Sequence, residues 1–379
     1  MKKERVLLAL SGGVDSSVAA MLLQKQGYEV IGAFMKNWSD TKNKITGECQ
    51  WKEERRYAEK VAALLGIKLI TLDFESQYKK QVVGKMFEKY RRGITPNPDI
   101  DCNREIKFPM LIKEAKKRGI NLVATGHYIR KRVKKYSASH RDTPIGAPKY
   151  ELLRAKDEMK DQSYFLYMLK QNEIKHCLFP IGDYTKQEVR QIAEKNKFPN
   201  FNKKGTVGIC FIGKINLKRF LEKKIKNKKG KIVDPNGKVV GEHSGIYYYT
   251  IGQRIGPRFG LEITHEAEKG KDYSRWYVAK KDVKKNILVV APENHEILLR
   301  KEIAVKDFYL IDEDKNDYKK RAHKVLVRIR QVGELLPAKL FYNGKFRIIL
   351  DKAIRGISDG QAVVIYSGEK VLGGGEITS

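Results

Sequence analysis

A short apolar strand that ends in a pair of glycines and leads directly into a helix constrains the fold of this chain more than any other feature. Residues 6–10 form a continuous apolar run, which is typical of a strand buried on both faces of a parallel sheet. Gly12 and Gly13 follow, and apolar residues recur at helical spacing from Val18 onward. The sequence therefore predicts a strand–loop–helix unit.

The loop of this unit, SGGVDSS at residues 11–17, has two interpretations. Its glycines let backbone N–H groups come close to a ligand, and the start of a helix supplies free donors and a positive dipole end, which favours a bound phosphate. In the second interpretation the helix is simply capped by Ser11, Asp15 or Ser16. The loop matches neither the Walker A pattern nor GxGxxG, so two common phosphate-binding loops are excluded.

Strands and helices alternate through the next hundred residues. Residues 29–34 and 68–74 are strand-like with a helix between them, and a further helix leads into the apolar strand of NLVATGHY. Such alternation predicts a doubly wound parallel sheet, whose ligands bind beyond the carboxyl ends of the strands. The SGGVDSS loop, Met35 and Gly126 all fall at that edge.

The rest of the chain changes character twice. Residues 130–150 are basic and then rich in Ser, Pro and Gly, which predicts an exposed hairpin or loop inserted in the first domain. From about Lys214 a strongly basic segment predicts a helix and a linker, and short β-rich segments with turns follow. We therefore expect an α/β domain with a doubly wound parallel sheet, a small β-rich central domain and a C-terminal β-barrel, at residues 1–212, 213–294 and 295–379.

The composition adds a strong positive charge. The 379 residues include 77 Lys and Arg against 45 Asp and Glu, a net charge of +32, which favours a polyanionic partner such as nucleic acid. A lysine-rich solvated surface without such a partner is the alternative. No apolar stretch approaches the roughly 18 residues of a membrane span, and the first residues contain no apolar signal-peptide core. We therefore expect a cytoplasmic protein that binds no membrane.

Four cysteines are scattered without a C-x-x-C pair, which argues against a zinc site or a disulfide scaffold and favours thiols that act through their reactivity. Cys102 follows Asp99 by three residues in TPNPDIDCNREIKF, where the prolines stiffen the loop enough to hold an acid and a thiol toward one point. An incidental cysteine in a surface turn is the alternative. Cys210 lies in the apolar run TVGICFIGK, where a buried strand cysteine is the simpler interpretation.

Taken together, these motifs carry a family resemblance. SGGVDSS resembles the PP-loop of the ATP pyrophosphatases, which cleave ATP between the α and β phosphates and form an adenylated intermediate. Along nearly the whole chain the motifs resemble those of the bacterial and organellar tRNA 2-thiouridylases. The matching segments are SGGVDSS, FMKNW, TPNPDI with the cysteine that follows it, ATGHY, KDQSYFL, GICFIGK, YTIGQR, WYV and VLGGGEI.

The resemblance implies an enzyme that uses ATP and Mg²⁺ to thiolate the wobble uridine of tRNA. The C2 oxygen is adenylated with release of pyrophosphate, and sulfur from a cysteine persulfide then displaces AMP. A persulfide-carrying sulfur-relay protein or a cysteine desulfurase supplies the sulfur, and the enzyme is expected to be a monomer. The residue types suit this chemistry, because a thiolate or persulfide anion is a strong nucleophile and adenylation turns an oxygen into a good leaving group.

The resemblance also assigns roles by motif. Cys210 is implied to carry the persulfide, Cys102 to be its partner in a transient disulfide, and Asp99 to act as an acid or base. Mg²⁺ is expected near the phosphates, positioned by Asp15, rather than in a separate metal site. The implied ATP site consists of Ala9, Leu10, Ser11, Gly12, Gly13, Val14, Asp15, Ser16, Met35 and Gly126. The implied tRNA site consists of Asn97, Pro98 and Asp99 around the extruded base, and of Lys160, Asp161, Gln162, Arg328 and Ile329.

Two places depart from the family pattern. Asp101 precedes the loop cysteine where an apolar residue is usual, and a carboxylate there raises the pKa of the Cys102 thiol if both side chains point the same way. Arg328, Ile329 and Arg330 stand where an aromatic residue is common, which removes stacking but leaves arginines for phosphate. Two other functions stay open: a PP-loop ligase or amidotransferase, which should not need two cysteines, and a basic RNA-binding protein with a vestigial nucleotide site.

Overall fold

The computed structural model describes residues 3–42, 47–134, 148–205, 208–213, 215–256, 275–311, 315–319 and 321–378. The predicted insertion at 130–150, the TVGICFIGK segment and the basic segment are thus described in part. Residues 135–147, 206–207 and 214 of these segments lie outside the described residues.

The first domain is built on a parallel sheet. Its elements are β1 (Arg5–Ala9), α1 (Val14–Lys25), β2 (Glu29–Lys36), α2 (Gln50–Leu65), β3 (Lys68–Asp73), α3 (Glu75–Tyr78), α4 (Lys85–Arg91), α5 (Pro98–Cys102), α6 (Phe108–Lys117), β4 (Leu122–Ala124), β5 (Arg130–Val133), β6 (Tyr150–Leu153), α7 (Gln171–Ile174), β7 (Cys177–Leu178) and α8 (Lys186–Lys195). The strand order is β3–β2–β1–β4–β7, and each neighbouring pair is parallel. Because the order reverses between β1 and β4, the loops after these two strands flank one crevice.

Burial on both faces of the sheet explains the apolar strands. In β1, Leu7 enters one core cluster, while Val6 and Leu8 enter the cluster on the other face, since successive side chains of a strand point in opposite directions. At the end of α2, Gly66 adopts the left-handed conformation that stops the helix. The doubly wound parallel sheet expected from the sequence is confirmed.

Two helical runs of this domain contain wider π-helical turns. One such segment, Lys79–Gly84, joins α3 to α4, and a second, Asn103–Lys107, joins α5 to α6. The second run begins at Asn97, whose side chain accepts a hydrogen bond from the first helical turn. π-helical turns are rare in proteins, and those that occur are often found at functional sites. The Asn103–Lys107 segment directly follows Cys102.

The central domain is a small β-rich unit preceded by a short basic helix. Its elements are α9 (Leu217–Glu222), β8 (Gly230–Val233), β9 (Val239–His243), β10 (Arg254–Ile255), β11 (Trp276–Asp282) and β12 (Ile287–Pro292). The five strands form one sheet in the order β10–β11–β12–β8–β9. Ile232, Val278, Leu288 and Val290 contribute to its compact apolar core.

The last domain is a closed β-barrel, as the sequence predicts. Its strands are β13 (Leu299–Leu310), β14 (His323–Arg328), β15 (Leu336–Tyr342), β16 (Phe346–Arg355), β17 (Ala362–Ser367) and β18 (Lys370–Thr378). Neighbouring strands are antiparallel, and β13 pairs with both β16 and β18, which closes six strands into a ring without free edges.

The barrel packs closely on the first domain. In β17, Val363 and Ile365 enter the barrel core, while Val364 and Tyr366 belong to the core of the first domain. The strand is therefore apolar on both faces. The inserted hairpin adds a second link, because β5 and β6 pair with each other and β6 continues the sheet of β18. In the ranges described, no helix combines the length and apolarity that crossing a membrane requires.

Two glycines let the loop after β1 lie against its neighbours. Gly12 has a φ of +77°, and a Cβ there would collide with the carbonyl oxygen of Glu54 in α2. Gly126, in the loop after β4, would place a Cβ 2.7 Å from the backbone nitrogen of Ser16 at the start of α1. Both collisions are with backbone atoms, which cannot swing aside as a flexible side chain can.

Replacing Gly12 with Ala is expected to destabilise the protein more than the same change at Gly27. Gly27 also has a positive φ, +93°, but a Cβ there meets nothing within 4 Å. Both variants therefore carry the cost of a left-handed residue, about 1–2 kcal/mol, and only Gly12→Ala adds an overpacking cost of about 1–3 kcal/mol. Urea unfolding measures both changes, and equal losses of stability would show that the approach to Glu54 imposes no constraint.

Candidate active site

The SGGVDSS loop leaves the first turn of α1 open. The residue before the helix is Gly13, and no side chain caps the helix. The hydroxyls of Ser16 and Ser17 donate instead to the Gly13 carbonyl, at 3.0 and 2.9 Å. The interpretation that Ser11, Asp15 or Ser16 caps the helix is therefore wrong. The uncapped N–H groups and the positive end of the helix dipole favour an anion at this point.

The other residues assigned to the ATP site lie at the same edge of the sheet. Ala9 and Leu10 lie at the end of β1, and Val14 begins α1. Met35 is buried near the carboxyl end of β2, beside β3. Gly126 rests on the start of α1. The structure thus brings the strand ends and the loop together around one crevice.

Asp15 is engaged by protein groups. Its Oδ1 accepts hydrogen bonds from Nζ of Lys186 at 2.5 Å and from the hydroxyl of Tyr128 at 2.8 Å. Across the described ranges, no group of three or more His, Cys, Asp and Glu side chains could hold a metal ion. Asp15 is thus the partner of Lys186 and Tyr128, and its expected role in positioning Mg²⁺ stays a prediction.

Two of the cysteines lie close together in the structure, although they are 108 residues apart in the sequence. The Sγ of Cys102 lies 3.8 Å from the Sγ of Cys210. Cys102, the last residue of α5, is fully buried, whereas Cys210 is half-buried. Both are free thiols. A disulfide needs a separation of about 2.05 Å, so a modest movement would join them.

Cys210 sits in a tight turn that is held from outside. The turn closes through a backbone pair at its two ends, and Phe211 has a φ of +64°, a strained conformation that costs a non-glycine residue about 1–3 kcal/mol. The Tyr78 hydroxyl donates to the Cys210 carbonyl at 2.5 Å, and the Thr41 hydroxyl donates to another carbonyl of the turn at 2.9 Å. The expectation of a buried strand at Cys210 is therefore wrong.

The surroundings shift the pKa values of the two thiols in opposite directions. The hydrogen bond from Cys102 and the nearby Lys107 ammonium lower the pKa of Cys210, against the effect of burial. Burial raises the pKa of Cys102 well above its usual value, and the adjacent Cys210 adds to the shift. Because the thiolate is the nucleophilic form, Cys210 is the readier nucleophile of the two.

The carboxylate of Asp101, the residue before Cys102, is engaged by an arginine. Its carboxylate accepts a hydrogen bond from Arg104 at 2.8 Å. The pKa of Cys102 is raised by burial, by Cys210 and by Asp99, not by Asp101. The raised pKa of Cys102 thus has other causes than the residue that departs from the family pattern.

Asp99 holds the Cys210 turn from the α5 side. Its Oδ1 accepts a hydrogen bond from the Cys210 N–H at 2.8 Å, and burial raises its pKa. A carboxyl group of raised pKa beside a thiol pair is suited to proton exchange. Asn97 and Pro98 lie just before it, at the start of α5. The structure thus places this predicted base-binding segment next to the two cysteines.

A lysine and a histidine that the sequence motifs did not single out also lie at this site. The Nζ of Lys107 lies 3.8 Å from the Sγ of Cys210 and 3.4 Å from Nε2 of His127. Burial and the Lys107 charge lower the pKa of His127 well below its usual value, so the imidazole is neutral. The available signals were the position of Lys107, five residues after Cys102, and that of His127 beside Gly126 in ATGHY.

The KDQ segment, residues 160–162, is exposed at its first residue and buried at its second. Lys160 is exposed, whereas Asp161 is buried and pairs with Arg328 at 2.8 Å. Gln162 accepts a hydrogen bond from the ATGHY backbone at 2.9 Å. Arg328 is only 4% exposed, and Ile329 is also buried. The Arg328 guanidinium therefore faces Asp161 rather than solvent, and the assignment of these residues to tRNA stays a prediction.

The fold and the site define a class of protein: an α/β nucleotide-binding domain with a thiol pair, followed by two β domains. Family models match the three parts in order. They describe a tRNA methyl transferase HUP domain over residues 4–214, a tRNA methyl transferase PRC-barrel domain over 218–292 and an aminomethyltransferase β-barrel domain over 300–377.

Curated relatives are similar along the full chain. Identity is 39% to tRNA-specific 2-thiouridylase MnmA 2 of Aliarcobacter butzleri, over 100% of this chain and 99% of that protein. It is 39% to tRNA-specific 2-thiouridylase MnmA of Thiobacillus denitrificans, over 98% and 99%, and 40% to the protein of that name from Pseudomonas paraeruginosa, over 99% and 95%. The chain belongs to the tRNA-specific 2-thiouridylase family of sulfurtransferases, which confirms the resemblance noted in the sequence.

Mild oxidation with diamide is expected to link Cys102 to Cys210, because their sulfurs are 3.8 Å apart. Mass spectrometry of peptides from the non-reduced protein detects the link. Cys177, which is fully buried in β7, serves as an internal control and should stay free. The geometry would be contradicted if Cys210 were instead recovered in a disulfide with Cys49.

Replacing Arg328 with Met is expected to destabilise the protein by about 3 kcal/mol, because it leaves the Asp161 carboxylate buried without its closest cation. Arg154 keeps a weaker contact with that carboxylate, at 3.8 Å. The double variant with Asp161→Asn removes the unpaired charge and should recover at least half of the loss. Urea unfolding measures both variants. If the double variant were no more stable than the single one, the ion pair would not be the cause.

Proposed function

We propose that this protein catalyses the ATP-dependent replacement of the C2 oxygen of the wobble uridine of tRNA by sulfur. The observation that carries the proposal is the pair of thiols 3.8 Å apart. The ATGHY loop near them packs against the SGGVDSS loop at Ser16. A protein that only bound ATP or RNA would need neither thiol. Membership of the 2-thiouridylase family supports the same reaction.

The first step is adenylation of the uridine. ATP is a co-substrate, and its phosphates suit the uncapped start of α1 in the crevice beyond the strands. The C2 oxygen attacks the α-phosphorus, the bond between the α-phosphorus and the bridging oxygen breaks, and pyrophosphate leaves. The Lys186 ammonium beside Asp15 and the Lys203 ammonium beside Gly12 place positive charge near the loop. Mg²⁺, which the family resemblance implies, would accompany the phosphates.

The second step moves one sulfur atom. A persulfide donor of the form RS–SH passes its outer sulfur to Cys210 and leaves as the thiol RSH. Cys210 then carries an S–SH group, whose outer sulfur attacks C2. The bond from C2 to the adenylated oxygen breaks, AMP leaves, and the uridine is joined to Cys210 through two sulfurs. The lowered pKa of Cys210 supports this role, because the persulfide must be taken up by a thiolate.

Cys102 completes the reaction. Its sulfur attacks the Sγ of Cys210, the bond to the outer sulfur breaks, and 2-thiouridine is released. The two cysteines together lose the two electrons that the outer sulfur gains and end as a disulfide. A dithiol reductant must therefore restore them in each turnover. Asp99 is the candidate acid or base for the proton of Cys102, because its carboxylate binds the Cys210 N–H and lies near enough to Cys102 to raise the pKa of that thiol.

The substrate must present an extruded base, since the C2 edge of a stacked uridine is inaccessible. We infer that Asn97 and Pro98 bind this base, because they begin the short helix α5, which ends at Cys102. The net charge of +32 suits the tRNA backbone, and exposed Lys160 and Arg330 are candidates for phosphate contacts. A sulfur-relay protein or a cysteine desulfurase is the proposed donor, and the enzyme is proposed to act as a cytoplasmic monomer.

Nucleoside analysis by mass spectrometry tests the proposal. The protein is incubated with tRNA, ATP and a persulfide donor, and 2-thiouridine is expected at the wobble position. Pyrophosphate release is measured in parallel and should require tRNA. Release without tRNA, together with unmodified nucleosides, would favour a PP-loop ligase acting on another substrate.

Replacing Cys210 with Ser is expected to reduce 2-thiouridine formation below about 1% of the wild-type rate, because the group that carries the sulfur is lost. Pyrophosphate release in the presence of tRNA should persist, since adenylation precedes the thiol step. Cys177→Ser is the matched control and should keep thiolation. Normal thiolation by Cys210→Ser with a persulfide donor would show that the sulfur travels by another route.

A further inference from the structure

Lys107 is a half-buried lysine that faces a sulfur instead of a carboxylate. In the described part of the chain, its Nζ forms no ion pair within 4 Å with Asp or Glu, and its near neighbours are the Sγ of Cys210 at 3.8 Å and Nε2 of His127 at 3.4 Å. The ring of Phe211 lies 5.6 Å from the same nitrogen. Enclosing an ammonium without an anionic partner is costly, so the arrangement calls for an anion at Cys210.

Hydrogen bonds through His127 to Thr125 orient the Lys107 ammonium. Lys107 can only donate, so Nε2 of His127 must accept, and the ring proton then resides on Nδ1. That nitrogen lies 2.8 Å from the hydroxyl of Thr125, which accepts it. His127 also stacks on Phe108, with ring centroids 5.7 Å apart. The imidazole is thus fixed on two sides and holds Lys107 in position toward Cys210.

We propose that Lys107 is a catalytic residue whose ammonium is the counter-cation of the Cys210 sulfur, first of the thiolate and then of the persulfide anion. The inference rests on the proposed function for the persulfide but not for the thiolate. Lys107 keeps its proton throughout, so no bond to it forms or breaks. Its role is to keep the sulfur anionic and in place while the sulfur is loaded and then attacks C2.

The charges of the site agree with this role. Burial disfavours the ammonium of Lys107, but Cys210, Cys102 and Asp99 outweigh it and raise its pKa. The titratable groups that face Cys210 are Lys107, Cys102, Asp99, Tyr78 and, through Lys107, His127. Among them, only Lys107 is a cation when His127 is neutral.

The test is the pH dependence of Cys210 alkylation by iodoacetamide in the full-length protein, followed by mass spectrometry of the Cys210 peptide. In the wild type the midpoint is expected below the value of about 8.5 for an ordinary thiol. Lys107→Met is expected to raise the midpoint by about one pH unit and to slow alkylation at pH 7 about tenfold. Lys107→Arg, which keeps the charge, should restore most of the rate.

Control variants separate this effect from a loss of structure. Lys113→Met changes an exposed lysine of α6 and should leave the midpoint unchanged. The Cys102→Ala background removes the other group that lowers the pKa of Cys210, and the shift caused by Lys107→Met should persist there. An unchanged midpoint in folded Lys107→Met overturns the proposal. If that variant does not fold, a wild-type midpoint at or above about 8.5 overturns it equally.

The measurement needs neither tRNA nor ATP, so it is independent of the proposed reaction. Thiolation assays then extend it to the persulfide: Lys107→Met should lower the rate of 2-thiouridine formation about tenfold and leave tRNA-dependent pyrophosphate release unchanged. Failure of the wild type to form 2-thiouridine would overturn the proposed function. A higher midpoint of Cys210 alkylation in Lys107→Met than in the wild type would support the role of Lys107 in either case.

Discussion

The packing of the ATGHY loop onto the start of α1 links the SGGVDSS loop to the surroundings of the thiol pair. Gly126 approaches the backbone nitrogen of Ser16 so closely that a side chain would not fit. The next residue, His127, accepts a hydrogen bond from Lys107 beside the thiols, and Tyr128 donates to Asp15 in the PP-loop. Three consecutive residues thus contact both halves of the site, so a shift of one half is transmitted to the other.

The barrel depends on the same region through a different interaction. The backbone of the ATGHY loop binds Gln162, and the preceding Asp161 pairs with Arg328 of the barrel inside the protein. Strand β17 adds apolar contact by burying both of its faces. A charge pair enclosed in this way resists separation more strongly than an exposed one, because each partner would be left buried alone. The barrel is therefore fixed relative to the thiols, as an enzyme that positions a large substrate requires.

The sequence was informative where structure is local and uninformative where it depends on distant partners. The strand–loop–helix unit and the barrel strands follow from periodicity and turn residues, and the structure contains them. The alternative of a side-chain cap on α1 is excluded because Ser16 and Ser17 donate to a carbonyl instead. The interpretation of Cys210 as a strand residue was wrong because partners more than a hundred residues away hold a turn there. The burial of Arg328 was invisible for the same reason, since its partner is 167 residues away.

The opposed pKa shifts of the two thiols follow from where each sulfur lies, and they give the proposed reaction its order. Cys210 is half-buried and next to a cation, so its anion is stabilised where a donor can reach it. Cys102 is enclosed by apolar side chains, and burial keeps its proton in place. If both thiols ionised equally, Cys102 would attack the loaded persulfide before the uridine arrived and would waste the sulfur. Keeping Cys102 protonated delays that attack, and because its sulfur is only 3.8 Å away, it needs only to lose a proton to release the product.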